Sequence, residues 1–174
     1  MPAVKKIKLT AARKNMSGKV SVEYINPFIQ ASQQVLKQVA NIDFTLGKIY
    51  LKDPTYKVDQ VVVIIGMTGS IKGQVNFCMS LDTAKNIASM MMGGYPVAEF
   101  DDLAKSAIGE MANMIMGNTS TLFSQKGLKV EITPPSILIG ENMTLSTSKM
   151  INICVPLLLS NGDKIDMDVA IVET

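Results

Sequence analysis

Residues 101–123 read DDLAKSAIGEMANMIMGNTSTLF, and their apolar positions predict one long helix with a single buried side. Successive core-seeking residues are four, three, four and seven positions apart, which is the periodicity of an α-helix packed on a core. The two aspartates at its start favour the positive end of the helix dipole. The predicted buried side consists of Ala104, Ile108, Met111, Ile115 and Leu122.

The opposite side of this helix carries Ser106, Glu110, Asn113 and Gly117, which are four, three and four residues apart and therefore stack along one side. A solvated helix face usually carries several Lys, Glu and Arg residues, whereas this one presents a single carboxylate and a single carboxamide. This composition favours a docking surface, with an ordinary solvated face as the alternative. Apolar or small residues form its predicted border: Leu103, Gly109, Met114 and Met116.

The flanking sequence predicts two further helices and a set of strands. Asn26 is the expected N-cap of a helix over 27–40, and Ser80 caps a helix over 81–92. The order of helix, strands, two helices and strands predicts an α+β domain with a mainly antiparallel sheet and helices packed against it. The predicted strands are 44–51 with an interruption at Gly47, then 61–65, 74–79, 128–132, 136–139, 151–159 and 165–172, with 66–73 as a glycine-rich connection.

The last two predicted strands form a hairpin. Asn161-Gly162 between two apolar runs is the strongest hairpin signal in the chain. The apolar residues of the final strand alternate with Asp166, Asp168 and Ala170. This alternation predicts a sheet with one covered face and one wet face.

Composition and charge limit the classes of function. The 174 residues fit one domain, predicted over 20–174, preceded by a basic and flexible segment over 1–19. This segment lacks the apolar core of a secretory signal; an arm that touches an acidic partner and residues upstream of a start at Met16 are the alternatives. The rest of the chain has a net charge of −4, which argues against nucleic-acid binding. The longest apolar runs, 61–65 and 155–159, have the length of strands, so no membrane insertion is expected.

Much enzymatic chemistry is excluded by the residue inventory. The chain contains no histidine, which removes Ser-His-Asp and Cys-His nucleophile systems and most zinc sites. It also contains no G-x-S-x-G motif and no phosphate-binding loop of the G-x-x-x-x-G-K-[ST] type. Cys78 and Cys154 lie in apolar runs and are predicted to be buried free thiols, which favours a reducing compartment and hence the cytoplasm.

Three other patterns carry weaker signals. The glycines of 66–73 resemble a phosphate cradle, but no helix follows them. The aspartates of 163–168 fit an exposed strand face better than a cation site. Glu23 and Asn26 repeat the E-x-x-N spacing, but the proline at 27 makes Asn26 a cap rather than a residue of a helical face.

One candidate site remains, the segment SAIGEMAN over 106–113. It resembles the signature of the CheC/CheX/FliY chemotaxis phosphatases, in which Asp or Ser is followed by Glu, Asn and a distant Pro. Ser106, Glu110 and Asn113 match this signature, and Pro134-Pro135 lies at about the right distance. The order of elements over roughly 20–172 is also similar to this family, and most similar to its CheX members.

The resemblance implies a fold of the CheC type and a phosphatase that acts on the aspartyl phosphate of the response regulator CheY. In this family the glutamate engages a lysine of the regulator and the asparagine enters its active site, so the implied catalytic residues are Glu110 and Asn113. A carboxamide both donates and accepts hydrogen bonds, and so it can hold the attacking water in one orientation. The resemblance implies no cofactor of its own, Mg²⁺ supplied by the regulator, and a homodimer. Partner binding is assigned to Ser106, Leu103, Met114 and Gly117.

Two other classes of function stay open at this point. The same face would serve a non-enzymatic module that docks a receiver domain or a component of the flagellar switch. The methionine-rich border would alternatively form the seam of a structural dimer.

Overall fold

The computed structural model describes residues 22–147 and 149–173, and this part of the chain is an α+β fold, as predicted. The basic segment over 1–19 lies outside the described residues. The helices are α1 (Asn26–Ala40), α2 (Leu81–Met91) and α3 (Asp102–Gln125). The strands are β1 (Phe44–Leu46), β2 (Tyr50–Lys52), β3 (Thr55–Lys57), β4 (Val61–Gly69), β5 (Ile71–Met79), β6 (Val130–Ile132), β7 (Ser136–Ile139), β8 (Thr144–Ser146), β9 (Ile151–Leu159) and β10 (Lys164–Glu173).

One of the two predicted N-caps, Ser80, is confirmed, and α3 begins at its pair of aspartates, as predicted. The Asp101 side chain accepts a hydrogen bond from the amide of Ala104 at 2.9 Å, and Ser80 caps α2 in the same way. The prediction that Asn26 caps α1 is wrong, because the N-cap is Ile25 and no side chain caps this helix. The helix starts one residue early since a proline needs no hydrogen-bond acceptor anywhere in the first turn.

The main sheet is antiparallel, with the strand order β1-β9-β10-β5-β4-β6. Strand β2 pairs with β9, and β7 pairs with β4. The hairpin between β9 and β10 is confirmed: Gly162 has a φ of 91°, a conformation that residues with a Cβ rarely adopt. The long strand β10 pairs with β9 on one side and with β5 on the other, so it lies in the interior of the sheet.

The predicted glycine-rich connection over 66–73 is wrong. Strands β4 and β5 continue through it and turn at Ser70, and Gly66 pairs with Gln74 inside the ladder. A Cβ on Gly73 would lie 2.0 Å from the carbonyl oxygen of Ala170, so only glycine allows the strands to approach this closely. Two three-residue strands, β3 and β8, were not predicted and form a separate small sheet.

All three helices contribute side chains to a single core shared with the main sheet. Alternate residues of the long strands enter this core, including Val63, Phe77, Val155 and Met167. Phe28 of α1 meets Phe123 of α3 edge to face, with ring centroids 5.6 Å apart. We call this the helix side of the sheet, and the opposite side the back face.

The predicted wet face of β10 is wrong, because Asp168 and Ala170 of the back face are fully buried. The Nζ atom of Lys52 lies 2.9 Å from Oδ2 of Asp168 and 4.4 Å from the centre of the Tyr56 ring. Strands β2 and β3 thus supply residues over this face. Desolvation is the largest single effect on Lys52 and opposes its charge, but the hydrogen bond and the charge attraction of Asp168 together outweigh it and raise the pKa of the ammonium group.

Both cysteines are free and buried on the back face, as predicted. Cys154 pairs with Asp168 across β9 and β10, and the Cys78 thiol donates to Oδ2 of Asp168 at 3.5 Å. Burial raises the pKa of Cys154 to about 12, and that of Cys78 is raised as well. Both thiols therefore stay protonated at neutral pH and have little nucleophilic character.

The first prediction concerns the contribution of the buried Lys52–Asp168 ion pair to stability. We expect Lys52→Met to lower the free energy of unfolding by about 3 kcal/mol, because it leaves Asp168 charged and buried without its cation. Lys37→Met removes an exposed ion pair with Asp43 and is the matched control, with an expected loss below about 1 kcal/mol. Chemical denaturation measures both, and equal losses would contradict the importance of the buried pair.

Candidate functional site

The predicted motif residues lie along one wall of an open groove. Ser106 and Glu110 are exposed and Asn113 is half-buried, and all three line the groove from α3. The other wall is formed by Pro135 and Ile137, at and just before β7. The groove has a volume of about 520 Å³ and is also lined by Asp102, Lys105 and Gly109. The structure therefore brings the three residues together, as their spacing predicted.

The packing of α3 directs these side chains outward. Four of the five predicted core residues on its opposite side are fully buried: Ala104, Ile108, Met111 and Ile115. The fifth, Leu122, is only half-buried, and Thr119 and Phe123 complete the buried side instead. Thr119 and Phe123 follow Ile115 at steps of four residues, which keeps them on the buried side of the helix, whereas Leu122 is rotated away from it.

The second wall is held by strand β4. Residues 61–64 of β4 pair with β7, and its far end pairs with β6. Between those two strands, the Thr133 hydroxyl accepts a hydrogen bond from the amide of Gly66 at 2.8 Å. The side chain of Ile137 faces α3, and a Cβ built on Gly109 would lie 3.5 Å from its Cδ1 atom. The groove is thus a gap between one helix and one edge strand.

The three motif side chains have no hydrogen-bond or ion-pair partner in the part of the chain that the structure describes. Within residues 22–147 and 149–173, no hydrogen bond or ion pair engages the side chain of Ser106, Glu110 or Asn113. The nearest charge pair joins Lys105 and Asp102, 3.7 Å apart and one turn along the helix. The carboxylate and the carboxamide are therefore free to engage another molecule.

The remaining predicted partner-binding residues lie outside the groove. Leu103 is 65% exposed near the start of α3, Met114 is half-buried against the core, and Gly117 faces open space. The predicted apolar border is wrong at Met116, which is fully buried, whereas Gly109 has little exposed surface but lines the groove.

Three residues of the groove were missed by the sequence analysis. Asp102 and Lys105 lie one helical turn before Ser106 and Gly109, so an extension of the motif by four residues would have found them. Ile137 carried no such signal, because its position depends on the pairing of β7 with β4, which are far apart in the sequence. Pro135 was noted only through the family signature.

No group of three or more Cys, Asp or Glu side chains is placed to hold a metal ion in the described part of the chain. The expectation that the chain carries no metal of its own stays a prediction. Among the described helices, none combines the length and the apolar character that a membrane span requires.

Comparisons with known proteins point to one family. A family model described as chemotaxis phosphatase CheX matches residues 61–158. A curated relative, the CheY-P phosphatase CheX of Thermotoga maritima, is 29% identical over 147 residues, which are 84% of this chain and 94% of the relative.

Solved structures show the same likeness. A CheX-CheY-BeF3-Mg+2 complex from Borrelia burgdorferi contains a chain that is 33% identical, with a TM-score of 0.74 and coverage of 88% of this chain and 100% of that one. A CheC-like superfamily protein from a Shewanella species is 27% identical, with a TM-score of 0.78 and coverage of 87% and 98%. The predicted CheC-like fold is confirmed.

The unpaired polar groups make a prediction about stability. We expect Glu110→Ala and Asn113→Ala each to change the free energy of unfolding by less than about 0.5 kcal/mol, because neither side chain has a hydrogen-bond or ion-pair partner among the described residues. Asp101→Ala in the same helix removes the N-cap and should cost about 1 kcal/mol. Urea unfolding measures all three, and a large loss for Asn113→Ala would indicate a structural role.

Proposed function

This chain belongs to the chemotaxis phosphatase CheX family, and from that premise we propose that it removes the phosphoryl group from the aspartyl phosphate of a CheY-type response regulator. The relative from Thermotoga maritima is a named CheY-P phosphatase, and the Borrelia burgdorferi relative was solved in complex with CheY. The name of the first relative favours an enzyme over a docking module without activity, and the complex of the second favours a CheY-type partner.

One observation carries the assignment of the site. Glu110 and Asn113 project from α3 into an open groove, and neither side chain has a hydrogen-bond partner within the described residues. A structural carboxamide this close to the protein surface would normally be hydrogen-bonded or fully solvated. An unpaired carboxylate and carboxamide at one groove are suited to complete their contacts on a second protein.

Asn113 is proposed to position the attacking water. Its carboxamide oxygen accepts a hydrogen bond from the water, and its NH₂ group donates one to a phosphoryl oxygen, which together align the water for in-line attack. The water oxygen bonds to phosphorus while the bond between phosphorus and the aspartyl oxygen breaks. The products are inorganic phosphate and the free carboxylate of the regulator. An acyl phosphate is already activated, so no nucleophile from this chain is required.

Glu110 is proposed to anchor the regulator through its lysine, as the family resemblance implies. The nearest cation on α3, Lys105, is associated with Asp102 instead, so the carboxylate is left for a partner. An ion pair formed there gains strength when docking excludes water from the groove. Mg²⁺, when bound by the regulator, neutralises charge on the phosphoryl group.

Assembly and location complete the proposal. Partner contacts are proposed to extend along α3 to Leu103, Met114 and Gly117. The homodimer expected from the family resemblance is part of the proposal. The cytoplasm is the proposed location because both thiols, Cys78 and Cys154, are free.

The catalytic prediction concerns Asn113→Ala. We expect the rate of phosphate release from phosphorylated CheY with Mg²⁺ to fall about a hundredfold, because the water loses its alignment. Asn118→Ala, which changes a half-buried asparagine of the same helix outside the groove, should retain the wild-type rate. If Asn113→Ala works at the wild-type rate, the proposed mechanism is wrong. Binding of the regulator without any acceleration by the wild type would favour the docking module.

The binding prediction concerns Glu110→Lys. This change places a positive charge against the lysine of the regulator, so we expect at least about tenfold weaker binding, with the deficit reduced by added salt. Glu141→Lys makes the same change of charge in the exposed connection after β7, away from the groove lining, and controls for net charge. Calorimetric titration measures both, and unchanged affinity for Glu110→Lys would contradict the anchoring role.

A further inference from the structure

The groove has a second wall that the proposed reaction does not use. Glu110 and Asn113 supply the polar side, but Pro135 and Ile137 form an apolar side directly opposite. Ile137 is only half-buried, although alternate residues of the neighbouring strand β4, such as Val61 and Val63, are fully buried. An apolar strip thus faces solvent beside the groups proposed for catalysis.

Gly109 forms the floor between the two walls. It lies in the middle of α3, where glycine is less favourable than alanine by about 1 kcal/mol. A Cβ there would lie 3.5 Å from Cδ1 of Ile137 and 3.8 Å from Cγ of Pro135, which are ordinary van der Waals distances. The backbone of Gly109 is helical and has no positive φ. Neither backbone conformation nor crowding therefore requires glycine at this position.

The stability of the fold therefore does not require glycine at position 109, whereas the space in the groove depends on it. A methyl group at position 109 would fill the floor between α3 and the apolar wall without displacing either. The same addition on Gly117 would meet nothing within 4 Å. Space at Gly109 is space in the groove itself, next to Glu110.

We propose that Gly109 is a specificity-determining residue, whose missing side chain leaves a seat for an apolar side chain of the phosphorylated regulator against Pro135 and Ile137. This inference rests on the proposed function. The composition of the groove favours this occupant. The Glu110 carboxylate would pair with a cation on the partner, and the apolar wall of Pro135 and Ile137 would contact an apolar group. A seated apolar group also excludes water from Glu110, which strengthens the ion pair formed there.

The test compares Gly109→Ala with Ser124→Ala, a helix-favouring change at an exposed site of α3 outside the groove. In the full chain, Gly109→Ala should unfold at the same temperature as the wild type or higher, since alanine favours the helix. Its KM for phosphorylated CheY should nevertheless rise about tenfold, the effect of one methyl group in an apolar pocket, with kcat within about twofold. Ser124→Ala should keep both kinetic constants.

A second variant tests the space directly. Ile137→Val removes the Cδ1 methyl that a side chain at position 109 would meet, so the pair Gly109→Ala/Ile137→Val should recover at least half of the lost affinity. Purely additive losses, or wild-type KM in Gly109→Ala, would overturn the proposed seat. Neither result would bear on the proposed role of Asn113 in positioning the attacking water.

A binding measurement tests the proposed seat independently of phosphate release. CheY carrying beryllofluoride should bind Gly109→Ala about tenfold more weakly than it binds Ser124→Ala. That result would support the seat even if the wild type failed to release phosphate, in which case only the proposed function would fail. Equal affinities would overturn the seat while leaving phosphate release as an independent test of the function.

Discussion

Helix α3 packs Ala104, Ile108 and Met111 into the core, and the opposite side of the helix has its direction set by that contact. Residues three and four apart lie on one side of a helix, so Ser106, Glu110 and Asn113 project together once the apolar side is buried. The core thus does more than stabilise the fold. It sets the angle at which a carboxylate and a carboxamide meet the groove, and no hydrogen bond within the described chain is needed to aim them.

Local periodicity was sufficient to predict most of the elements. Helix α3, the cap at Ser80 and the hairpin at Asn161-Gly162 depend on residues close in sequence, and the structure confirms them. The shared direction of Glu110 and Asn113 was predictable for the same reason, because their spacing is a local property, and their catalytic roles stay a proposal. The N-cap of α1 was misplaced by one residue, since a proline is tolerated at more than one position of a first turn.

What the sequence could not predict depends on contacts between distant segments. Asp168 alternates with apolar residues as if it faced water, but Lys52 and Tyr56 approach it from strands of three residues each. Such short strands carry too little periodicity to be recognised. Ile137 of the apolar wall was missed for the same reason, because it reaches the groove only through the pairing of β7 with β4. The sequence thus identified one half of the groove and left the other half to the structure.

Strand β4 carries this missing half. One edge of β4 pairs with β5, and its other edge pairs with both β6 and β7. The width of the gap between α3 and Ile137 therefore depends on the position of β4, which holds β7 in place, as well as on the residues that line the groove. Core substitutions beneath β4 would widen or narrow that gap by fractions of an ångström while Glu110 and Asn113 stay as they are. Under the proposed function, the width of the groove would thus be adjustable by core substitutions that leave the two proposed catalytic side chains in place.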